Sequence, residues 1–177
     1  MRSEYVFKNE VEHILAALMP ENRLACEVSL ATGLRIGDVL RLKTEDIQKE
    51  RFSVQEQKTG KRRTVRLPVA LRNRCAAFAG AVYVFTGRLD GRKPRTRQAV
   101  WKDLKRVQRL MRLDVNLTPH SMRKVFAVEE YHRSGDLKRV QKLLNHSNEA
   151  VTMIYAMADE QVKRLRGGSA AVQKDGC

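Results

Sequence analysis

The chain has 177 residues, enough for one domain with a buried core, and its apolar fraction of 42% argues against wholesale disorder. Lys and Arg number 35 against 20 Asp and Glu, so the net charge is +15, which indicates a polyanionic partner such as nucleic acid, or else a solvated basic surface. No run of about 18 apolar residues suggests a membrane span, and the three cysteines lack the paired spacing of a disulfide framework or a zinc site.

Helices are predicted in the first part of the chain, where apolar residues recur at the i, i+3, i+4 and i+7 positions. The first helix runs from Lys8 to Met19 and is ended by Pro20. The second covers about Glu21 to Ala31, with Gly33 as its C-terminal stop, and a short helix follows from Arg35 to Leu42.

The periodicity becomes that of strands between Arg51 and Leu67. Two strands are predicted there, joined by the turn Lys58-Thr59-Gly60-Lys61, whose glycine suits a hairpin. Tyr83 to Phe85 is a third, short β-like run, and the basic segment from Arg88 to Arg97 is predicted to be a loop.

The remaining chain is predicted to be helical, with a small, polar tail at its end. The predicted helices span Thr96 to Leu113, Pro119 to Arg133, Asp136 to Leu144, Asn148 to Met157, and Asp159 to Leu165. Proline at a first turn and aspartate at an N-cap support two of these starts. The tail, residues 167–177, is expected to fray. We therefore expect a mainly α fold with a small antiparallel β-sheet of about three strands, an α+β class.

Several side chains in these segments suit phosphodiester cleavage, which needs a nucleophile, charge stabilisation for two oxygens, and an acid for the departing oxygen. Arg35 and Arg123 can form a clamp, because a guanidinium donates two parallel hydrogen bonds to phosphate and stays charged. His120 would share a helical face with Arg123, three residues later. His146 suits proton transfer, and Lys58 at the hairpin turn is assigned as the general acid.

Each of these residues also has an ordinary interpretation. Lys58 is one of several cations in its segment, any of which can be a solvated charge or a phosphate anchor. A histidine near a helix end is often a cap, and Tyr155, on an apolar helix, can be a core residue with its hydroxyl at the rim. The candidate DNA contacts are Lys61, Arg62, Arg63 and Lys124.

Taken together and in order, these segments resemble the catalytic domain of the tyrosine recombinases, the phage integrase family. The matching segments are Thr32-Gly33-Leu34-Arg35, Gln57-Lys58-Thr59-Gly60, His120 to Arg123, and Leu143-Leu144-Asn145-His146, followed by Thr152 and Tyr155. The resemblance covers about Lys8 to Asp159, with all six functional positions filled. Asn145 stands where the family often has glycine, but asparagine also tolerates a left-handed backbone.

The resemblance implies a role for each of these residues. Tyr155 would attack the phosphate to form a 3′-phosphotyrosine, and His120 would assist its proton transfer. The transition state would be stabilised by Arg35, Arg123 and His146. Lys58 would protonate the leaving oxygen, and Asp38 would orient Arg35. No metal or other cofactor is implied.

The resemblance also implies an organisation and partners. Residues 1–166 would form the catalytic domain, without the separate N-terminal core-binding domain that such recombinases usually have. The chain would then be an excised domain or belong to the minority, such as fimbrial-type invertases, that consist of the catalytic domain alone. Expected partners are double-stranded DNA, three further copies in a tetramer, and an accessory DNA-bending protein, with a cytoplasmic location.

The implied function is site-specific recombination by a phage or other mobile element. One alternative is a type IB topoisomerase, which nicks and reseals DNA without exchanging partners. The other is a DNA-binding module without catalysis, for which steep salt dependence and no covalent product would be the signature.

Overall fold

In the computed structural model, which describes residues 4–146, 152–153 and 157–158, the chain begins with helices that start and stop close to the predicted positions. Helix α1 is Lys8–Ala17 and α2 is Pro20–Thr32. Pro20, expected to end the first helix, also opens the second, where its missing N–H leaves no hydrogen bond unmade. Gly33 ends α2 in the left-handed region, with φ of +66°, and the short helix α3 is Ile36–Val39.

A two-stranded antiparallel hairpin follows the short helix α4, Thr44–Ile47. Strand β1 is Arg51–Gln55 and β2 is Arg62–Arg66, with Val54 opposite Arg63. The expected third strand is not found in the described part of the chain. Tyr83 and Thr86 make only isolated bridges, to Lys43 and Pro94.

The remaining described helices are α5, Val69–Phe78, which the sequence did not predict, then α6, Arg97–Leu110, α7, Pro119–Ser134, and α8, Leu137–Leu144. The last three agree with prediction to within a turn. Their starts are fixed by Thr96, Thr118 and Asp136, whose side chains accept hydrogen bonds from backbone N–H groups of the first turn. The fold is thus mainly helical with a small antiparallel sheet, as predicted.

Helix α2 lies at the centre of the core and packs against α7, α3 and α5. Its residues are buried on several sides, including Cys26, where burial raises the pKa of the thiol to about 12. The end of α2 approaches α7 closely, because a Cβ on Gly33 would lie 2.4 Å from the ring of Phe126. Glycine is therefore required at this position both for its backbone conformation and for its size.

Helix α8 packs on α7 through a small apolar cluster formed by Ala127, Val140 and Leu144. Asn145 ends α8 in the left-handed conformation, with φ of +49°, as anticipated for an asparagine in a glycine position. This cap directs the chain into His146. The helix predicted at 148–157 lies mostly outside the described residues, and the one at 159–165, the tail and Tyr155 lie wholly outside them. None of the described helices is long and apolar enough to cross a membrane.

Candidate active site

A cleft of about 500 Å³ lies between the start of α3, the hairpin turn and the start of α7. Its cationic and imidazole side chains are Arg35, Arg41, Lys58, Arg97, His120 and Arg123. Four of the six residues predicted to be catalytic thus come together from three separate segments of the chain. Such a concentration of positive charge suits a phosphate group.

Arg35 reaches the cleft from the residue that precedes α3, directly after the Gly33 turn. Its guanidinium forms an ion pair with Glu56, whose side chain is completely buried, while that of Arg35 remains 18% exposed. A buried carboxylate requires a hydrogen-bonded cation, and Arg35 supplies it. The ion pair holds one side of the guanidinium and leaves the group at the cleft wall.

Asp38, expected to orient Arg35, instead makes its hydrogen bond to the hairpin turn. Its Oδ1 accepts from the backbone N–H of Gln57 at 3.0 Å. Burial raises the pKa of Asp38, and the nearby Glu56 carboxylate raises it further, against the lowering effect of the Gln57 N–H. The carboxylate in contact with Arg35 is that of Glu56, whereas Asp38 contacts the hairpin.

Lys58 lies on the hairpin turn with its side chain exposed at the cleft. The turn is closed by the Glu56 N–H, which donates to the Lys61 carbonyl at 3.0 Å, and by the Gly60 N–H, which donates to the Glu56 carbonyl at 2.8 Å. Gly60 has φ of +67°, a conformation that few other residues adopt without strain. The turn therefore presents the ammonium group from a defined backbone.

His120 lies in the first turn of α7 and Arg123 three residues later, and both line the cleft as the spacing predicted. Arg123 is almost completely buried, and its guanidinium donates to the carbonyl oxygens of Gly33 and Leu144. Desolvation lowers the pKa of His120, and the cations Arg123 and Arg35 lower it further.

His146 follows the cap of α8, and its Nδ1 lies 3.1 Å from the hydroxyl oxygen of the buried Thr152. Burial lowers the pKa of His146 to about 4, with Arg123 and Arg35 as further causes and Glu56 acting in the opposite direction. The ring is therefore neutral near pH 7. When Nδ1 accepts from Thr152, the proton is on Nε2, which can then donate to a phosphate oxygen.

A sequence model described as "Phage integrase family" matches residues 4–162 of the chain, which includes every residue of this cleft. The chain belongs to the phage integrase family.

Known members with similar sequences include bacterial, archaeal and phage proteins. The chain is 30% identical over 138 residues to "Probable integrase/recombinase YoeC" of Bacillus subtilis, covering 75% of each protein. It is 30% identical over 142 residues to "Tyrosine recombinase XerA" of Pyrococcus furiosus, covering 76% of this chain and 49% of that one. It is 30% identical over 174 residues to "Integrase" of Escherichia phage P2, covering 94% of this chain and 49% of that one. The chain spans three quarters of the length of the first of these relatives and about half of the length of the other two.

Solved structures with the same fold include "Crystal structure of XerA recombinase", with a TM-score of 0.71 at 21% identity over 94% of this chain and 66% of that one. A second is that of a lambda integrase dimer bound to a COC′ core site, with a TM-score of 0.72 at 23% identity, covering 88% and 48%. These similarities establish the fold shared with the integrase family.

Three charged residues at the cleft or in contact with its side chains were not predicted from the sequence. Glu56 continues the inward-facing series of Phe52 and Val54, and a carboxylate in such a series signals a cationic partner. Arg41 and Arg97 line the cleft but carry no sequence signal that separates them from other surface arginines.

The four candidate DNA contacts do not share one environment. Lys61 and Arg62 are exposed, and Lys124 is half-buried on α7. Arg63 departs from the expectation, because its guanidinium points inward and donates to the carbonyl oxygens of Leu143 and Thr32.

Proposed function

We propose that this chain is the catalytic part of a site-specific DNA recombinase that cleaves and rejoins DNA through a covalent bond to Tyr155. The observation that carries the proposal is the convergence of Arg35, Lys58, His120 and Arg123 on one cleft, from segments more than 20 residues apart in sequence. Family membership over residues 4–162 supports it.

The cleft residues, together with His146, would meet the separate requirements of phosphoryl transfer. Arg35 and Arg123 would bind the two non-bridging oxygens of the scissile phosphate, and His146 would donate a further hydrogen bond. The Glu56 pair and the two carbonyl contacts fix the arginine planes before DNA arrives. Such preorganisation lowers the reorganisation needed to reach the transition state.

In the proposed step the Tyr155 oxygen attacks phosphorus, a P–O bond to tyrosine forms, and the P–O bond to the 5′ oxygen breaks. His120 would accept the phenolic proton, since its lowered pKa leaves the ring neutral and able to act as a base. Lys58 would donate a proton to the departing 5′ oxygen. Religation reverses these transfers, so the bond energy is conserved in the phosphotyrosine and no nucleotide is consumed.

Double-stranded DNA is the proposed substrate, and four copies are the proposed assembly. One structural relative is described as a lambda integrase tetramer bound to a Holliday junction. An accessory DNA-bending protein, a phage or other mobile-element origin and a cytoplasmic location belong to the same proposal. Asp38 would support the site through the hairpin, and Lys61, Arg62 and Lys124 would contact DNA phosphates.

The test is a covalent trap in cells of the source organism. The wild type and the Tyr155→Phe variant are expressed, the cells are denatured rapidly with detergent, and protein-linked DNA is isolated and sequenced. We expect linked DNA ends from the wild type at one short sequence and at least a hundredfold less from Tyr155→Phe, because phenylalanine has no nucleophilic oxygen.

The matched control is Tyr83→Phe, which removes a hydroxyl from a residue whose ring contacts Lys43 outside the cleft. It should give as much adduct as the wild type. Linked DNA from Tyr155→Phe would assign the nucleophile to another residue. DNA binding without an adduct from either protein would favour the binding module, and linkage at scattered positions would favour a topoisomerase.

A further inference from the structure

Arg63 is an arginine on the inner face of the hairpin, a position usually taken by an apolar side chain. It pairs with the buried Val54 on β1, and two residues later Val65, on the same face, is buried in the core. Its neighbours Arg62 and Thr64 point outward and are exposed. The side chain of Arg63 is half-buried and extends from the sheet toward the ends of two helices.

The contacts of Arg63 run parallel to those of Arg123. Arg63 donates through Nη1 to the Leu143 carbonyl and through Nη2 to the Thr32 carbonyl. Arg123 donates to the next carbonyl along each segment, those of Leu144 and Gly33. Two guanidinium groups thus bridge the C-terminal end of α2 and the C-terminal end of α8 with four hydrogen bonds.

The chemistry of this arrangement favours arginine. The last carbonyls of a helix have no partner within the helix and carry its partial negative charge, so they attract a cation. Burial lowers the pKa of Arg63, while the Glu56 and Asp38 carboxylates act in the opposite direction, and a guanidinium remains charged under such conditions. Its rigid fork can reach two acceptors together, which a single ammonium group matches poorly.

Each element that Arg63 joins carries one of the proposed catalytic groups. Lys58 lies on the turn of its own hairpin, Arg35 follows the end of α2, and His146 follows the end of α8. A change in the position of any end therefore moves one catalytic group relative to the others.

We propose that Arg63 is a positioning residue that ties the hairpin to the ends of α2 and α8, and so holds Lys58, Arg35 and His146 in register, rather than contacting DNA. Its effect on the reaction rests on the proposed function, whereas the tie itself does not. Displacement of a catalytic group by about 1 Å can cost roughly 10²-fold in rate, so loss of the tie should act on the rate of cleavage.

The first experiment needs no DNA and measures hydrogen exchange of backbone amides in the 177-residue chain. The reporter amides are those of Gly33, bonded to the Ser29 carbonyl at 2.8 Å, and His146, bonded to the Gln141 carbonyl at 3.1 Å. In Arg63→Met both should exchange about tenfold faster or more, because two bonds from a charged donor are lost. The control is Arg51→Met, an exposed arginine on β1, which should change neither amide.

The second experiment measures the rate of adduct formation at saturating DNA and, separately, the affinity for DNA, using the target sequence recovered by the covalent trap. Arg63→Met should lower the rate about 10- to 100-fold and leave the affinity within about threefold. Arg62→Met provides the reference for a DNA contact, and should weaken binding and reduce the slope of log affinity against log salt by about one.

Arg63→Lys keeps the positive charge but lacks the forked donors of a guanidinium. This variant replaces Arg63→Met in the test if thermal unfolding shows that Arg63→Met is not folded. It should retain less than a tenth of the wild-type rate. A wild-type rate for Arg63→Lys, unchanged exchange at Gly33 and His146, or a salt slope lowered as in Arg62→Met would each overturn the proposal. If the wild type forms no adduct at all, the proposed function fails, and the exchange result alone decides whether the tie exists.

Discussion

The two faces of the β-hairpin carry the same kinds of charged residue in opposite environments. On the outer face Arg66 pairs with Glu50 at 2.7 Å, and both side chains are more than 60% exposed. At the inner side Glu56 is completely buried against Arg35, and Arg63 is bonded to the ends of two helices. An exposed pair exchanges its partner for water at little cost, whereas a buried charge has no such replacement.

We expect this difference to separate the residues that set the affinity for DNA from those that set the rate of cleavage. Outward cations such as Lys61 and Arg62 are exposed to solvent and suit phosphates along a DNA backbone. Inward guanidiniums are held by protein oxygens at the cleft, so their positions are defined before a substrate binds. We therefore expect substitutions of outward residues to change the salt dependence of binding, and substitutions of inward residues to change cleavage and stability.

The largest effect in this comparison is expected for Arg123→Lys. Lysine cannot span the Gly33 and Leu144 carbonyls and also donate bidentately to a phosphate, although the charge is retained. The rate of adduct formation at saturating DNA should fall roughly 10²–10³-fold. The control is Arg109→Lys on the exposed side of α6, which should have the wild-type rate. A wild-type rate for Arg123→Lys would remove this residue from the phosphate clamp.

A smaller effect is expected for Glu56→Gln, measured as the free energy of unfolding in urea. Removing one partner of the buried pair leaves the Arg35 charge without its counter-ion, and we expect a loss of about 2 kcal/mol. The matched variant is Glu50→Gln, which breaks the exposed pair with Arg66 and should cost less than about 0.5 kcal/mol. Equal losses in the two variants would show that burial does not distinguish the two sides of the hairpin.

Much of the helical fold was predictable, because helix ends carry local chemical signals. Pro119 and Asp136 marked the starts of α7 and α8 correctly. Helix α5 was missed since its pattern is weak: Leu71 and Cys75 are buried, while Val69 and Phe78 are exposed.

The third strand was predicted wrongly from an apolar run. Val84 and Phe85 are buried in the core, but the residues on either side of them, Tyr83 and Thr86, make only isolated bridges. A buried run with high β-propensity does not form a strand unless another strand pairs with it, and local sequence does not determine that pairing.

The candidate site was predictable where its chemistry depends on the type of side chain. It was not predictable where its contacts are made by main-chain atoms. The resemblance to the integrase family predicted one site for Arg35, Lys58, His120 and Arg123, and all four line one cleft. Glu56 had a signal in the alternation of β1. The acceptors of Arg63, by contrast, are main-chain carbonyls, which every residue has, so no sequence pattern could identify them.

The smallest effect that we expect concerns the pH dependence of stability. His146 is half-buried beside Arg123 and Arg35, and its pKa is lowered to about 4 in the folded protein. In the unfolded chain a histidine titrates near pH 6.5, so between pH 6.5 and about 4 the unfolded state binds more protons. The contribution of His146 to stability is thus fully present above pH 6.5 and is lost as the pH falls through this window.

The measurement is the urea unfolding free energy of the wild type and His146→Gln at pH 7.5 and pH 5. The wild type should lose about 1 kcal/mol more than the variant over this interval, a value reduced for the partial hydration of the ring. His13→Gln, on the exposed face of α1, is the control for a histidine outside the cleft and should follow the wild type. If His146→Gln lost as much stability as the wild type, the ring would not be held neutral by burial and the neighbouring guanidiniums. The contrast between inward and outward charges would then rest on Glu56, Arg63 and Arg123 alone.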